Sequence, residues 1–504
     1  MDLASAYQRL LEILAEIEDL KMAAAVLYWD QQTEMPPGGS VARGEQLTTL
    51  RRLAHEKLVQ PKVGELLADL VTEAATMPGD SDQASMIRVA KREYEMATRI
   101  PSRLVVAMSE ASDLAYHKWL EARAANDFAT FVPALERVVA LSRETAAALG
   151  YEDHPLDALI DQVEPGLDAS KVAALFAELR EPLVGLTRRI VASDAGRRAG
   201  LLHQEYPAGK QLELGMAAVR AIGFDVDRRG RQALSVHPFS ISFSPDDTRI
   251  TTRINRDYLG TSFFALLHEA GHGTYMQGIP DRLRRSILHE GASAGLHESQ
   301  SRLWENVVGR SRYFWQHFLP VARAVFPSQF GTATVEEAYA AANVVRPSLI
   351  RVEADEVTYN LHIMIRFELE KAVLDGTLDL ADLPEAWNRK FAAYLGITPP
   401  DDLTGVLQDI HWTMRFGGSF QSYTIGNVAS IALYRQALSE NPGMHLDWSE
   451  GRFDSLLRWM QDKVHAHGSK FTPEELLVRA TGAGLTAGPY LEHITDKYTE
   501  LYQL

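Results

Sequence analysis

The pattern H-E-x-x-H occupies His268, Glu269 and His272 within the stretch 265–274. On a helix, positions four apart leave the same face, so both imidazoles can reach one metal ion. Glu269 lies about 100° round the helix from His268, where its carboxylate can take a proton from a water that the ion polarises. This is the residue set of a zinc hydrolase. The apolar run 262–267 before it suits the buried helix that such a site needs. Chance also produces the five-residue pattern, so a third ligand and a substrate-binding surface have to come from elsewhere in the chain.

A two-histidine zinc site commonly takes a Glu from a later helix. Glu298 follows His272 with enough chain between them to turn and come back, and it shares a polar face with Ser301, Arg302 and Glu305, opposite Leu303, Trp304, Val307 and Val308. His289, Glu290 and His297 are rivals that spacing does not separate from it. Further on, a helix is expected over 348–374. Its apolar line is Ile350, Ala354, Val357, Leu361 and Ile365, and its polar line is Arg351, Asp355, Thr358 and His362. Arg351 either pairs with Asp355 at i and i+4 or projects into a cleft to bind a carboxylate in fork geometry. The segment 405–412, with His411, leads into a Gly- and aromatic-containing stretch, 416–423, of the kind that lines substrate surfaces.

Helical periodicity dominates the elements that must position these groups. Leu10, Leu14 and Ile17 mark a first amphipathic helix that ends in a loop over 28–39, where Pro36, Pro37, Gly38 and Gly39 cluster. Further helices are expected over 40–58, 83–98, 102–124, 129–149 and 170–191. The period changes near Ala233. Segments 235–244 and 249–254 alternate or are rich in β-branched residues, which predicts a small β-hairpin just before the motif helix. Its edge can pair with an extended peptide or merely cover the core.

At 504 residues the chain exceeds the usual limit of one compact core, so two lobes or one large domain with a cleft are expected. It is 46% hydrophobic and 23% charged, as globular proteins are. A net charge of −16 speaks against a general nucleic-acid or anionic-membrane binder. With no cysteine, any zinc must be held by His and carboxylate. No apolar run approaches a membrane span and the N-terminus has no secretory pattern, so a cytoplasmic protein is expected.

Six ordered signatures give the chain a family likeness. They are His237-Pro238-Phe239; Asp247-Thr248-Arg249-Ile250-Thr251; the motif at 268–272; His297-Glu298-Ser299-Gln300; Ile350-Arg351-Val352-Glu353-Ala354-Asp355; and the 405–412 segment read as G-x-x-Q-D-x-H-W. The chain resembles the carboxypeptidase Taq family of zinc metallocarboxypeptidases over nearly its full length. The resemblance implies an all-α, mainly helical fold with a small β-hairpin beside the metal helix, and a single catalytic domain over 1–504 whose two lobes flank a deep groove, as in neurolysin-like peptidases. It implies a homodimer acting on peptides. It assigns His268, His272 and Glu298 to one Zn2+ per chain, for which Co2+ or Mn2+ can substitute, and Glu269 to the general base. Arg351 becomes the clamp for the substrate's C-terminal carboxylate, with His411 a wall of the same pocket and Tyr423 or His411 a donor to the oxyanion. His237 and Arg249 fall where the hairpin would align a peptide. One loop departs from the family: Ser419 and Gln421 stand where relatives carry an aromatic and a proline.

The expected reaction is hydrolysis of the C-terminal peptide bond with broad specificity. Its nearest rival is a zinc endopeptidase with the same chemistry in an open groove. An inactive peptide-binding scaffold is a rival of another class, against which the intact Glu269 and both histidines speak.

Overall fold

The computed structural model describes residues 2–193 and 200–504. Helices dominate it, and a single three-stranded sheet interrupts them among the described residues. The chain separates into two compact units. Unit 1 comprises Met1–Thr98, Ala199–Ala342 and Ala432–Gly484; unit 2 comprises Arg99–Arg198, Asn343–Ile431 and Leu485–Leu504. Among the described residues, no helix is long and apolar enough to cross a membrane.

In unit 1 the first helix, Leu3–Thr33, starts where Asp2 accepts from the Ser5 amide. It buries Leu10, Leu14 and Ile17 against Val63, Leu66 and Leu70 of the helix Pro61–Ala74. The first helix runs six residues into the expected loop. Nothing between Tyr28 and Thr33 forbids helix, and the break comes only at Pro36, whose ring excludes the helical conformation at the residue before it. Met276 and Ile279, from the far end of the motif helix, complete the same core.

The sheet has the order β1-β3-β2, with β1 Gly230–Leu234, β2 Ser240–Ser244 and β3 Asp247–Thr252. β2 and β3 form the expected antiparallel hairpin, whereas β1 lies parallel to β3 and was not anticipated. A parallel partner has no tight turn to announce it, and Arg231 and Gln232 give β1 no clean alternation.

The motif helix, Gly260–Gly278, follows the sheet. Phe263, Phe264, Leu266, Leu267, Ala270, Tyr275 and Met276 are buried on several of its faces, as an interior helix requires. Its first turn is tied down through Ser262 Oγ, which bonds Gln211, whose amide in turn donates to the Tyr206 and Asn255 carbonyls.

Among the remaining expected helices, 40–58 forms as read, and 83–98, 102–124 and 170–191 lie within Asp82–Arg99, Ser102–Ala125 and Ala169–Ala192. The stretch 129–149 divides into a 3-10 turn, Phe128–Thr130, and a helix, Val132–Leu149, with Pro133 in its first turn. The helices Pro61–Ala74 and Ala208–Ala221 were not anticipated.

In unit 2 the helix expected over 348–374 begins only at Tyr359. Arg351–Glu353 is an isolated 3-10 turn. Asp355 accepts from the amides of Arg346, Val357 and Thr358, which holds the chain out of a helix until Thr358. Arg351 and Asp355 are therefore not an i, i+4 pair. The helix that does form, Tyr359–Leu374, packs Phe367 edge-on against Phe176 at 5.1 Å.

That helix also buries Glu370, 1% exposed, with Oε1 accepting from Trp412 Nε1 at 2.9 Å and Oε2 without a hydrogen-bond partner among the described residues. Burial pushes its carboxyl up to about 7, against the pull of Trp412 and Arg415. The native state then holds the proton more tightly than the unfolded chain does, so stability falls as pH rises from about 4.5 to 7 and the full cost applies above that. Glu370→Gln keeps the acceptor for Trp412 and removes the charge. It should raise stability by up to about 3 kcal/mol at pH 8 and change it little at pH 4.5. Thermal denaturation at the two pH values checks this, and an equal effect at both would contradict it.

Candidate functional site

The motif helix carries His268 and His272 on one face, with ring centroids 5.0 Å apart. Beside it runs the helix Ala294–Arg302, which starts where Ser293 caps the Leu296 amide. The two helices approach closely at Gly271, where a Cβ would stand 2.6 Å from the Gln300 carbonyl oxygen and 2.7 Å from the Ser301 Cα. This approach brings Glu298 to the histidines: its Oε2 lies 3.8 Å from His268 Nε2 and 3.5 Å from His272 Nε2. Donor atoms of the three residues all lie within 4.8 Å of one another, and this is the single such group among the described residues. Two imidazoles and a carboxylate converging through nitrogen and oxygen suit zinc, whose structural and catalytic sites use these donors.

Each imidazole turns its other nitrogen to a backing group. His268 Nδ1 is 2.9 Å from Glu305 Oε2, and His272 Nδ1 is 2.6 Å from His297 Nδ1. When Nε2 serves a metal, Nδ1 carries the proton; the Glu305 carboxylate accepts it from His268, and an unprotonated His297 Nδ1 is placed to accept it from His272. Glu305 stands in a turn of π-helix, Leu303–Val308, that continues the helix Ala294–Arg302. Arg302 reaches Glu298 Oε1 at 2.7 Å and Glu305 Oε2 at 3.2 Å, and Arg310 holds Glu305 Oε1 at 3.2 Å.

These charges are buried together and shape one another. Burial alone would lift the Glu298 carboxyl, but Arg302 and then His268 and His272 hold it well below the carboxylate range. Burial likewise opposes ionisation of Glu305, and Arg302 and the bond to His268 overcome it. His268 loses basicity to burial and regains more from Glu298 and Glu305, for a net rise. His297 is pushed down to about 3 by burial and by His272, so it stands behind His272 as a neutral ring. Glu269, 6% exposed, is raised by burial against the pull of the two histidines. Three carboxylates against two guanidiniums give a nest with negative charge to offer a cation.

Unit 2 holds a second buried cluster. Arg351, 5% exposed, donates from Nε to Asp409 Oδ1 at 3.0 Å and from Nη1 to the Tyr359 hydroxyl at 3.0 Å. Its guanidinium lies 5.1 Å from the Tyr423 ring centroid and 5.5 Å from that of Phe420. Asp409 Oδ2 takes Arg366 Nε at 2.6 Å, and Gln408 Oε1 accepts from Arg366 and from the Arg351 amide. His411 Nε2 lies 3.3 Å from the Tyr423 hydroxyl, and its ring packs on Phe420. Burial disfavours the charge on Arg351, but Asp409 more than compensates and raises its pKa; the two arginines hold Asp409 well below its usual range. The departing loop is built into this unit. Gly418 (φ 76°) approaches the Leu159 backbone too closely for a Cβ, Ser419 Oγ accepts from Arg415, and the buried Gln421 donates to the Gly418 carbonyl.

The residues singled out from the sequence therefore sit in three places. His268, Glu269, His272 and Glu298 gather in unit 1; Arg351, His411 and Tyr423 gather in unit 2. Arg249, on β3, is held by both oxygens of Asp247 at 2.8 Å and lies over the Phe243 ring, while His237 occupies the exposed turn between β1 and β2. Of the rivals to Glu298, His297 stands behind His272, His289 is buried outside the ligand group, and Glu290 is exposed. Sequence reading put Glu305 on a polar face without a role, and it missed that Asp409, not Asp355, partners Arg351. Glu298, Arg302 and Glu305 recur at four- and three-residue steps, a signal that could have suggested one charged stripe.

A family model described as Carboxypeptidase Taq (M32) metallopeptidase matches residues 9–498. Thermostable carboxypeptidase 1 of Thermus thermophilus is 41% identical over 507 residues, covering 99% of both chains. Carboxypeptidase 1 of Bacillus subtilis is 34% identical over the full length of both. Among solved structures, the M32 carboxypeptidase from Deinococcus radiodurans R1 matches with a TM-score of 0.96 at 42% identity, covering 99% of this chain and 100% of its own. The Trypanosoma cruzi metallocarboxypeptidase 1 matches with a TM-score of 0.94 at 29% identity, covering 99% of this chain and 100% of its own.

The helix contact at Gly271 is testable. Gly271→Ala gains up to about 1 kcal/mol in helix propensity but forces the two helices apart, an overpacking cost of about 1–3 kcal/mol. The variant should melt below the wild type and retain less metal after dialysis, as calorimetry and elemental analysis would report. An unchanged melting temperature would mean that the contact is looser than it stands here.

Proposed function

Because this chain belongs to the carboxypeptidase Taq family of metallopeptidases, we propose that it is a zinc-dependent carboxypeptidase that releases C-terminal residues from peptides with broad specificity. The observation that carries the reading is the convergence of His268 Nε2, His272 Nε2 and Glu298 Oε2 beside the buried Glu269. These three residues would hold the ion, which Co2+ or Mn2+ can replace. When bound, the metal supplies Lewis acidity that polarises a carbonyl and brings water towards ionisation near neutral pH.

The chain's own residues do the rest. Glu269 is the general base: it accepts a proton from the attacking water and hands it to the leaving amine. Arg351 is assigned the substrate's terminal carboxylate. Asp409 and Tyr359 keep its guanidinium in one plane before any ligand arrives, which lowers the entropy lost on binding. The Tyr423 hydroxyl and His411 are assigned as hydrogen-bond donors to the developing oxyanion. The outer edges of β1 and β2 offer backbone groups to an extended peptide, with His237 and Arg249 beside them. The same family reading carries one catalytic domain over 1–504, a homodimer and a cytoplasmic site of action.

Two measurements test the proposal. A peptide with a free C-terminus should lose its last residues while the same peptide amidated is spared; equal internal cleavage of both would make the protein an endopeptidase. Glu269→Gln should lower kcat by about 10²–10⁴ while the protein still binds its metal. Undiminished release by that variant would remove Glu269 from the mechanism.

A further inference from the structure

Arg302 stands between two carboxylates with different tasks. Its Nε donates to Glu298 Oε1 at 2.7 Å and its Nη1 to Glu305 Oε2 at 3.2 Å. Glu298 is buried and the other two are nearly so: the Arg302, Glu298 and Glu305 side chains are 11%, 8% and 12% exposed. A carboxylate can hold a metal through one oxygen or through two. With Oε1 committed to a guanidinium, only Oε2 points at the place that His268 Nε2 and His272 Nε2 also face, at 3.8 and 3.5 Å. Two imidazoles and a one-oxygen carboxylate leave a fourth position open for water or substrate, and a second oxygen from Glu298 would fill it.

We propose that Arg302 is a positioning residue that restricts Glu298 to one-oxygen coordination and thereby keeps the metal's open position open. The planar fork of an arginine suits this task, because it can engage both carboxylates at once where a lysine offers a single point of charge. The two carboxylates differ in how far they depend on it. Glu305 keeps a second holder in Arg310, at 3.2 Å, and a third in His268. Among the described residues, Glu298 Oε1 is held by Arg302 alone. Loss of Arg302 should therefore release Glu298 more than it releases Glu305.

The inference rests on the reading of Glu298 as the third ligand, and the test separates the two. The protein is loaded with Co2+, whose visible absorption is strong in four-coordinate sites and weak in more crowded ones. Arg302→Gln is expected to weaken that absorption, to raise the cobalt coordination number seen by X-ray absorption, and to lower kcat about 10- to 100-fold with a smaller change in KM. Arg302→Lys should fall between wild type and Arg302→Gln, and it carries the test if Arg302→Gln does not fold. A wild-type cobalt spectrum and coordination number in whichever variant folds would overturn the role of Arg302. Glu298→Gln is measured alongside. If that variant binds one equivalent of Co2+ with wild-type affinity and spectrum, the ligand assignment itself is wrong; if binding weakens, the ligand reading stands and the Arg302 result is decided on its own.

Discussion

One carboxylate oxygen facing two imidazole nitrogens is the constraint on which the centre in unit 1 depends. Oε2 of Glu298 reaches His268 and His272 only because two helices touch at Gly271, where even a methyl group would collide with backbone. Backbone cannot yield as a flexible side chain can, so the spacing is set by the absence of a Cβ. The buried charges then need compensation that water does not supply. Arg302 and Arg310 provide it and fix which carboxylate oxygen points where. Breaking one partner out of such a buried set costs about 3–5 kcal/mol, so charge balance and geometry are maintained by the same contacts.

Unit 2 solves a related problem with the signs reversed. Asp409 lies between Arg351 and Arg366, one oxygen to each, and Gln408 braces both arginines from the neighbouring position. A lone buried guanidinium would carry the full desolvation cost of its charge; paired to a shared carboxylate and packed over Phe420 and Tyr423, it stays ionised and oriented. In both clusters one charged side chain holds the orientation of another. His272 is backed without charge: a neutral ring, pushed down to about 3, stands at its Nδ1 where a carboxylate more often would.

Much of this was legible before any coordinates. The spacing of His268 and His272 determines that they share a helix face, and the order of six short signatures leads to the family. Most helices over 40–192 follow from the 3.6-residue period, which reports local geometry that neighbours seldom override. Failures came where a local pattern competed with distant partners. The helix drawn from Ser348 ignored the amides that Asp355 captures. The strand β1 gives no local signal because its hydrogen bonds go to β3, which follows it in the chain only after β2.

What the sequence by itself determined is the chemistry on offer: two imidazoles at helical spacing, a Glu beside them, no thiolate to compete, and an Arg suited to a carboxylate. What only the tertiary structure decided is which residues meet. Glu298 rather than His289, Glu290 or His297 meets the two histidines through its carboxylate, and Asp409 rather than Asp355 takes Arg351. Periodicity records which face a side chain leaves from, because that depends on its immediate neighbours along the chain. The partner it reaches depends on how closely two elements pack, and here that was settled by a missing methyl group at Gly271 and by buried charges that had to be paired.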